Sequence, residues 1–303
     1  MLKKSIDAYV ALRRAMGLRI EDPEYLLRSF ASWASERGET HVRSQTVMEW
    51  AASKGSAWRR ERKLRVVAAF ARHAVAEDPR HEVPPIHVFS HKTVLVTPHI
   101  YSDDEVVRLM RAAEQLPPTW RMRPHTAATL FGLLASTGLR LSEALSLRLG
   151  DITADGLVIR HTKFNKSRLV PIHPSTVSAL DCFLARRRRA RVSGDYLFAS
   201  PRGGRISRKT VSTWFYRLAR GIGLRGAPGT RGPRIHDLRH TFAVRSLETA
   251  PLCGAVVGAH VRALSTYLGH SRVAHTCSYL QTTPRLMRGI ADACERLIEG
   301  GQQ

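Results

Sequence analysis

Hydrophobic residues recur at helical spacing in four stretches of the N-terminal part of the chain. Lys4 to Ala15 reads as a first helix, and Asp22-Pro23 reads as an N-cap followed by proline at the first helical position of a second. Leu26, Phe30 and Trp33 share a face of that second helix, which Gly38 should end. A third runs from Ser44 through Val47, Met48 and Ala51. The fourth, Ser56 to about Glu77, places Leu64, Val67, Ala71 and Val75 on one side and Arg59, Arg60, Arg62, Lys63 and Arg65 near its start. Residues 1–80 are therefore expected to form a small all-helical domain with one basic flank. Between Asp78 and Pro98 the pattern stops, and Pro79, Pro84, Pro85 and Pro98 fall among histidines and polar residues, so 81–100 reads as an extended linker.

Residues 101–303 then open on Ser102-Asp-Asp-Glu105, a capping box for a helix through Met110 and Ala113. Thr126 to Ser136 predicts another helix, and Gly138 separates it from a third at Leu139 to Leu147. Gly156 to Arg160 and Arg168 to Ile172 predict two strands joined by a polar turn through Phe164-Asn165-Lys166. Helices follow at about Ser175 to Arg191, Arg208 to Arg220, His236 to Leu247, Val261 to Leu268, Val273 to Leu280 and Pro284 to Ile298. The expected fold is mainly α with a small antiparallel β-sheet, in two domains.

Composition narrows the partner. The formal charge is +23, from 48 Lys and Arg against 25 Asp and Glu, which suits a polyanion such as nucleic acid. The sequence has no apolar run of membrane-spanning length, no signal-peptide core and no lipidation motif, so a cytoplasmic, nucleoid-associated protein without membrane contact is expected. Four cysteines (Cys182, Cys253, Cys277, Cys294) show no CxxC spacing, and are expected to be reduced and mostly buried.

Candidate chemistry concentrates in Pro233 to Ser246. On a helix, His236 and Arg239 lie on one face, and Leu238 and Phe242 on another. A proton-exchanging imidazole beside the planar donor fork of arginine suits a phosphate. His236 and His240 also stand at zinc-ligand spacing, but HExxH lacks its glutamate and no third ligand is evident, so no metal is expected. Tyr279 falls on the polar side of a helix whose apolar stripe is Val273, Cys277 and Leu280, beside Arg272 and His275. His270 follows Gly269, a helix-terminating glycine, which places it on a turn.

Taken together, Thr137-Gly-Leu-Arg-Leu-Ser-Glu143, the hairpin lysines, His236-x-x-Arg239, Leu268-Gly-His270 and Tyr279 resemble the tyrosine recombinases, the phage-integrase superfamily. The resemblance covers Ile100 to about Ile298, and beyond it the N-terminal part matches only in kind, as a helical module that binds the core site. It implies transesterification without a cofactor: Tyr279 attacks a phosphodiester of double-stranded DNA, forms a 3′-phosphotyrosyl bond and expels a 5′-hydroxyl. Arg140, Arg239, His236 and His270 would stabilise the pentacoordinate phosphate, with His236 as the base. Lys163 would be the general acid and Lys166 a phosphate contact; Glu143 would orient Arg140, and His240 would be a supporting residue. Arg168, Arg59, Arg62 and Lys63 are further DNA-binding candidates, and Tyr267 is the second choice of nucleophile. A homotetramer on paired sites is implied, with Pro284 to Ile298 docking on a neighbour and accessory proteins as further partners. The alternatives are a type IB topoisomerase and a non-catalytic DNA-binding regulator. One departure is the interval of 31 positions from Arg239 to His270, longer than the family's, with the excess at Glu248 to Val261.

Overall fold

The computed structural model describes residues 1–18, 20–89, 97–160, 167–249 and 254–269, with side chains left aside at 254–257. The chain forms two compact units, Met1–Leu95 and Val96–Gln303.

The first unit is built from α1 (Leu2–Ala15), α2 (Glu21–Ser35), α3 (Ser44–Ala52) and α4 (Ala57–Glu77). Their apolar faces close over Ile6, Leu27, Phe30, Val47, Leu64, Val67 and Phe70, all at most 1% exposed. Ser56 caps α4, its hydroxyl accepting from the Arg59 N–H. Helix α2 starts earlier than the Asp22-Pro23 pair suggested: Ile20 is the N-cap, and Asp22 and Pro23 lie in the first turn, where an acidic side chain suits the helix dipole. The proline-rich stretch after α4 packs back onto this unit. Glu82 accepts from Arg43 and from the Ser44 N–H, and the buried Glu61 carboxylate accepts from Arg65 and from the N–H groups of His87 and Phe89. Burial would raise the Glu61 carboxyl, but those donors outweigh it and hold it below its ordinary value.

In the second unit, α5 (Asp103–Glu114) begins with the Ser102 capping box in full, both reciprocal hydrogen bonds being present. It packs on α6 (Arg123–Thr137), which starts three residues before the expected Thr126. The expected helix at Leu139 to Leu147 is reduced to α7 (Leu141–Ala144). Beyond it the backbone pairs with a distant segment: the Leu197 N–H donates to Leu147 O and the Leu149 N–H to Asp195 O. Three strands follow, β1 (Ile152–Thr153), β2 (Gly156–Ile159) and β3 (Arg168–Val170), in an antiparallel sheet of order β1-β2-β3. Strand β1 is too short to show an alternation in sequence. At Gly156, with φ 134°, a Cβ would lie 2.4 Å from Val170 O, so glycine is required.

Helices α8 (Pro174–Arg189), α9 (Arg208–Gly221), α10 (Asp237–Glu248) and α11 (Gly254–Leu268) complete the described residues. Leu109, Leu130, Phe131, Leu145, Phe198, Phe215 and Leu238 centre the core. Helix α11 begins seven residues before the expected Val261, so part of the long Glu248 to Val261 interval is helical. Cys182 is exposed, and the other cysteines lie outside the described side chains. No described helix is long and apolar enough to cross a membrane.

Candidate active site

The site forms where α6, α7, β3, α10 and α11 meet. Helix α6 stops at Gly138, which takes a left-handed conformation (φ 61°) and frees the chain to turn into Leu139 and Arg140. The Gly138 carbonyl accepts from Arg239 Nη1 at 2.7 Å, and Arg239 Nη2 donates to Leu268 O at 2.8 Å. Arg239 is 2% exposed, as buried as its neighbour Leu238. Helix α10 is thus not divided into a wet cationic face and a dry apolar one. Its arginine is sunk into the protein and held by carbonyl oxygens.

Arg140, at the N-cap of α7, donates through Nη1 to Glu143 Oε1 (2.8 Å) and through Nη2 to Gly269 O (2.9 Å), with a longer contact to Leu268 O (3.4 Å). Its side chain is 34% exposed. Among the described residues nothing accepts from its Nε–H, which leaves donor capacity on a solvent-facing guanidinium. Arg168 Nε donates to Tyr267 O at 2.8 Å. Three consecutive carbonyls ending α11, those of Tyr267, Leu268 and Gly269, therefore each accept from an arginine. The unpaired carbonyls and negative dipole end of a helix are a natural seat for cations. Here they hold three arginines at the turn that leads to His270.

Glu143 Oε1 accepts from Arg140, and the same carboxylate accepts from both terminal nitrogens of Arg168, at 3.1 and 2.9 Å. Burial would raise the Glu143 carboxyl, but hydrogen bonds and charge from Arg168 and Arg140 leave it below the ordinary range, so it is ionised at neutral pH.

His236 stands at the N-cap of α10 with its ring 4.8 Å from that of His240, edge to face. His236 as a residue is exposed. Desolvation of its ring, with His240 and Arg239 beside it, pulls its pKa down to about 4, so the imidazole is neutral at pH 7 and has a lone pair to accept a proton. His240 is lowered in the same direction by burial.

Several candidate residues have other work. Lys63 is buried, donates to Trp50 O at 3.1 Å and lies over the Trp50 ring; burial lowers its pKa. It is a packing residue of the first unit and not a surface contact for DNA. Arg62 pairs with Asp22 and lies over Trp58, while Arg59 is exposed at the start of α4. Arg168, with a side chain 11% exposed, directs its donors into the protein. Tyr267 stacks on Phe242 with ring centroids 5.4 Å apart, and burial pushes its phenol up to about 12, which makes it a poor nucleophile. Lys163, Lys166, His270 and Tyr279 lie outside the described residues, as do the helices expected at Val273 to Leu280 and Pro284 to Ile298.

The ligand-like groups of His41, Asp78 and His81 come together within 4.8 Å in the first unit. The Val42 N–H donates to His81 Nδ1, His41 Nε2 pairs with Asp78 Oδ2, and Arg80 donates to both oxygens of that carboxylate. These bonds clasp the end of α4 to the α2–α3 connection. The Val42 bond also leaves the neutral His81 proton on Nε2, a tautomer unsuited to holding a metal there.

Residues 100–285, more than half of the chain, match the phage integrase family. The chain belongs to that family. Along 98% of both chains it is 37% identical to the protein named integrase/recombinase y4rB of Sinorhizobium fredii (strain NBRC 101917 / NGR234). It is 35% identical to tyrosine recombinase XerD of Mycobacterium tuberculosis (strain ATCC 25618 / H37Rv), over 62% of this chain and 58% of that one. Its fold is similar to that of a lambda integrase (75-356) dimer bound to a COC′ core site, with TM-score 0.60, 20% identity and coverage of 90% and 96%. It is also similar to XerH bound to palindromic difH substrate, with TM-score 0.62, 18% identity and coverage of 97% and 84%. This phage integrase family member is a tyrosine-type site-specific DNA recombinase. The topoisomerase and regulator alternatives are not favoured by these relatives.

Proposed function

We propose that this recombinase exchanges strands of double-stranded DNA with Tyr279 as nucleophile and with Arg140 and Arg239 as the receptor for the scissile phosphate. The convergence of two arginines, 99 positions apart, on the carbonyls just before His270 carries this assignment. Arg239 is fixed as a buried charge, while Arg140 is pinned on one side and open on the other. Such fixed donors stabilise the negative charge that builds on a pentacoordinate phosphate without having to reorganise.

In the proposed step the Tyr279 oxygen bonds to phosphorus and the bond from phosphorus to the 5′-oxygen breaks. The tyrosine proton passes to neutral His236, and Lys163 donates a proton to the leaving 5′-oxygen. Attack by a partner strand's 5′-hydroxyl reverses the step, so the phosphodiester count is conserved and no cofactor is consumed. His270 adds a further donor to the phosphate, and His240 supports His236. Lys166 and Arg59 contact backbone phosphates, with the helical first unit, about residues 1–80, binding the core site. The active assembly is a homotetramer on paired sites in the prokaryotic cytoplasm, joined through the C-terminal segment from Pro284, with accessory proteins as additional partners at some sites.

The test is covalent trapping on a nicked duplex. Tyr279→Phe should bind the duplex with wild-type affinity and give no SDS-stable adduct; an adduct formed by this variant would place the nucleophile elsewhere.

A further inference from the structure

We propose that Arg168 is a positioning residue which, through Glu143, sets where Arg140 meets the phosphate. This rests on the assignment of Arg140 as a phosphate receptor. Both Glu143 oxygens are shared: Oε1 accepts from Arg140 Nη1 (2.8 Å) and Arg168 Nη1 (3.1 Å), and Oε2 accepts from the Arg140 N–H (3.0 Å) and Arg168 Nη2 (2.9 Å). Arg168 therefore grips the carboxylate with two parallel bonds, the arrangement that fixes angle as well as distance.

Charge gives this grip a purpose. Glu143 alone would neutralise Arg140, the cation a phosphate needs. With Arg168 on the other side, Arg140, Glu143 and Arg168 together carry one net positive charge, and only Arg140 faces solvent, its side chain being 34% exposed against 9% and 11% for the other two. Position follows from the third bond. Arg168 Nε holds Tyr267 O, and its guanidinium lies against Gly269, where a Cβ would come within 2.7 Å of Nη1. Arg168 also sits in β3 opposite Ile159, at the end of the connection that carries Lys163. One side chain thus ties strand, α7 and the end of α11 into a single frame.

The experiment uses the full chain, comparing duplex affinity with the single-turnover rate of adduct formation at saturating protein. Arg168→Ala should slow cleavage by about 10- to 100-fold, as expected when a catalytic group is misplaced by about 1 Å, with affinity changed less than about threefold. Arg168→Lys should recover only part of the rate, because an ammonium cannot grip both oxygens. In an Arg140→Ala background, Arg168→Ala should add nothing, since its effect passes through Arg140. If Arg168→Ala folds poorly with an unbalanced buried carboxylate, Arg168→Ala/Glu143→Gln removes that charge, and should fold and cleave faster than Arg168→Ala per folded molecule. Additive losses for Arg140→Ala and Arg168→Ala, or a loss confined to affinity, would overturn the role of Arg168 alone. Wild-type cleavage by Arg140→Ala would overturn the phosphate assignment beneath it.

Discussion

Replacing Gly138 by alanine should weaken the second unit more than replacing Gly223, although both glycines have positive φ, 61° and 75°. Alanine at a left-handed position costs roughly 1–2 kcal/mol, offset by about 0.4–1 kcal/mol from the stiffer unfolded chain. This part is common to the two sites. At Gly223 a Cβ would meet nothing within 4 Å, whereas at Gly138 it would lie 2.6 Å from Phe242 Cδ1 and 3.1 Å from Leu268 Cδ2. Phe242 cannot simply retreat, because it stacks on Tyr267. Overpacking of this kind costs about 1–3 kcal/mol, which at about 2–4 °C per kcal/mol for a unit of this size gives roughly 2–12 °C of additional lowering. Calorimetry of the two variants measures the difference. Because the Gly138 carbonyl also holds Arg239, cleavage by Gly138→Ala at a temperature where it is fully folded should fall as well. Equal midpoints for the two variants, or full activity in folded Gly138→Ala, would refute the idea that this turn holds Arg239 through close packing.

Other outcomes are expected from the same residues. Lys163→Ala should cleave ordinary DNA slowly and be largely restored by sulfur at the 5′-bridging position, since a thiol with pKa near ~8.5 leaves with little help from an acid; rescue of Lys166→Ala in its place would exchange the two roles. Affinity for duplex should fall steeply with salt, with a slope in log K against log salt of about −0.9 per phosphate neutralised, and a flat titration would contradict the phosphate-dominated interface. Glu61 has its folded pKa below the unfolded value, so its contribution is fully present above about pH 4.5 and is lost as pH falls through the folded pKa. Glu61→Gln should therefore lower the urea midpoint of the first unit at pH 7 and do so less at pH 3, and a gap that widens on acidification would contradict this sign.

The sequence alone determined the helical character of both units, the Ser102 capping box, the paired strands β2 and β3, and the motif order that marks the family, because these depend on near neighbours in the chain. Arg140 with Glu143 was legible for the same reason, the two being three residues apart at a helix start. Tertiary structure decided the rest. Arg168 follows the hairpin lysines and reads as one more DNA contact, and only folding brings Glu143, 25 positions away, against it. Lys63 lies in a basic run that reads as a surface flank, yet the packing of α3 on α4 buries it against Trp50. The helix expected at Leu139 to Leu147 yields after Ala144 because its backbone finds partners near Tyr196, some fifty positions on. Periodicity reports which face of an element is greasy, but a side chain's donors are assigned by whatever acceptors the fold carries to them, here the carbonyls that end α11.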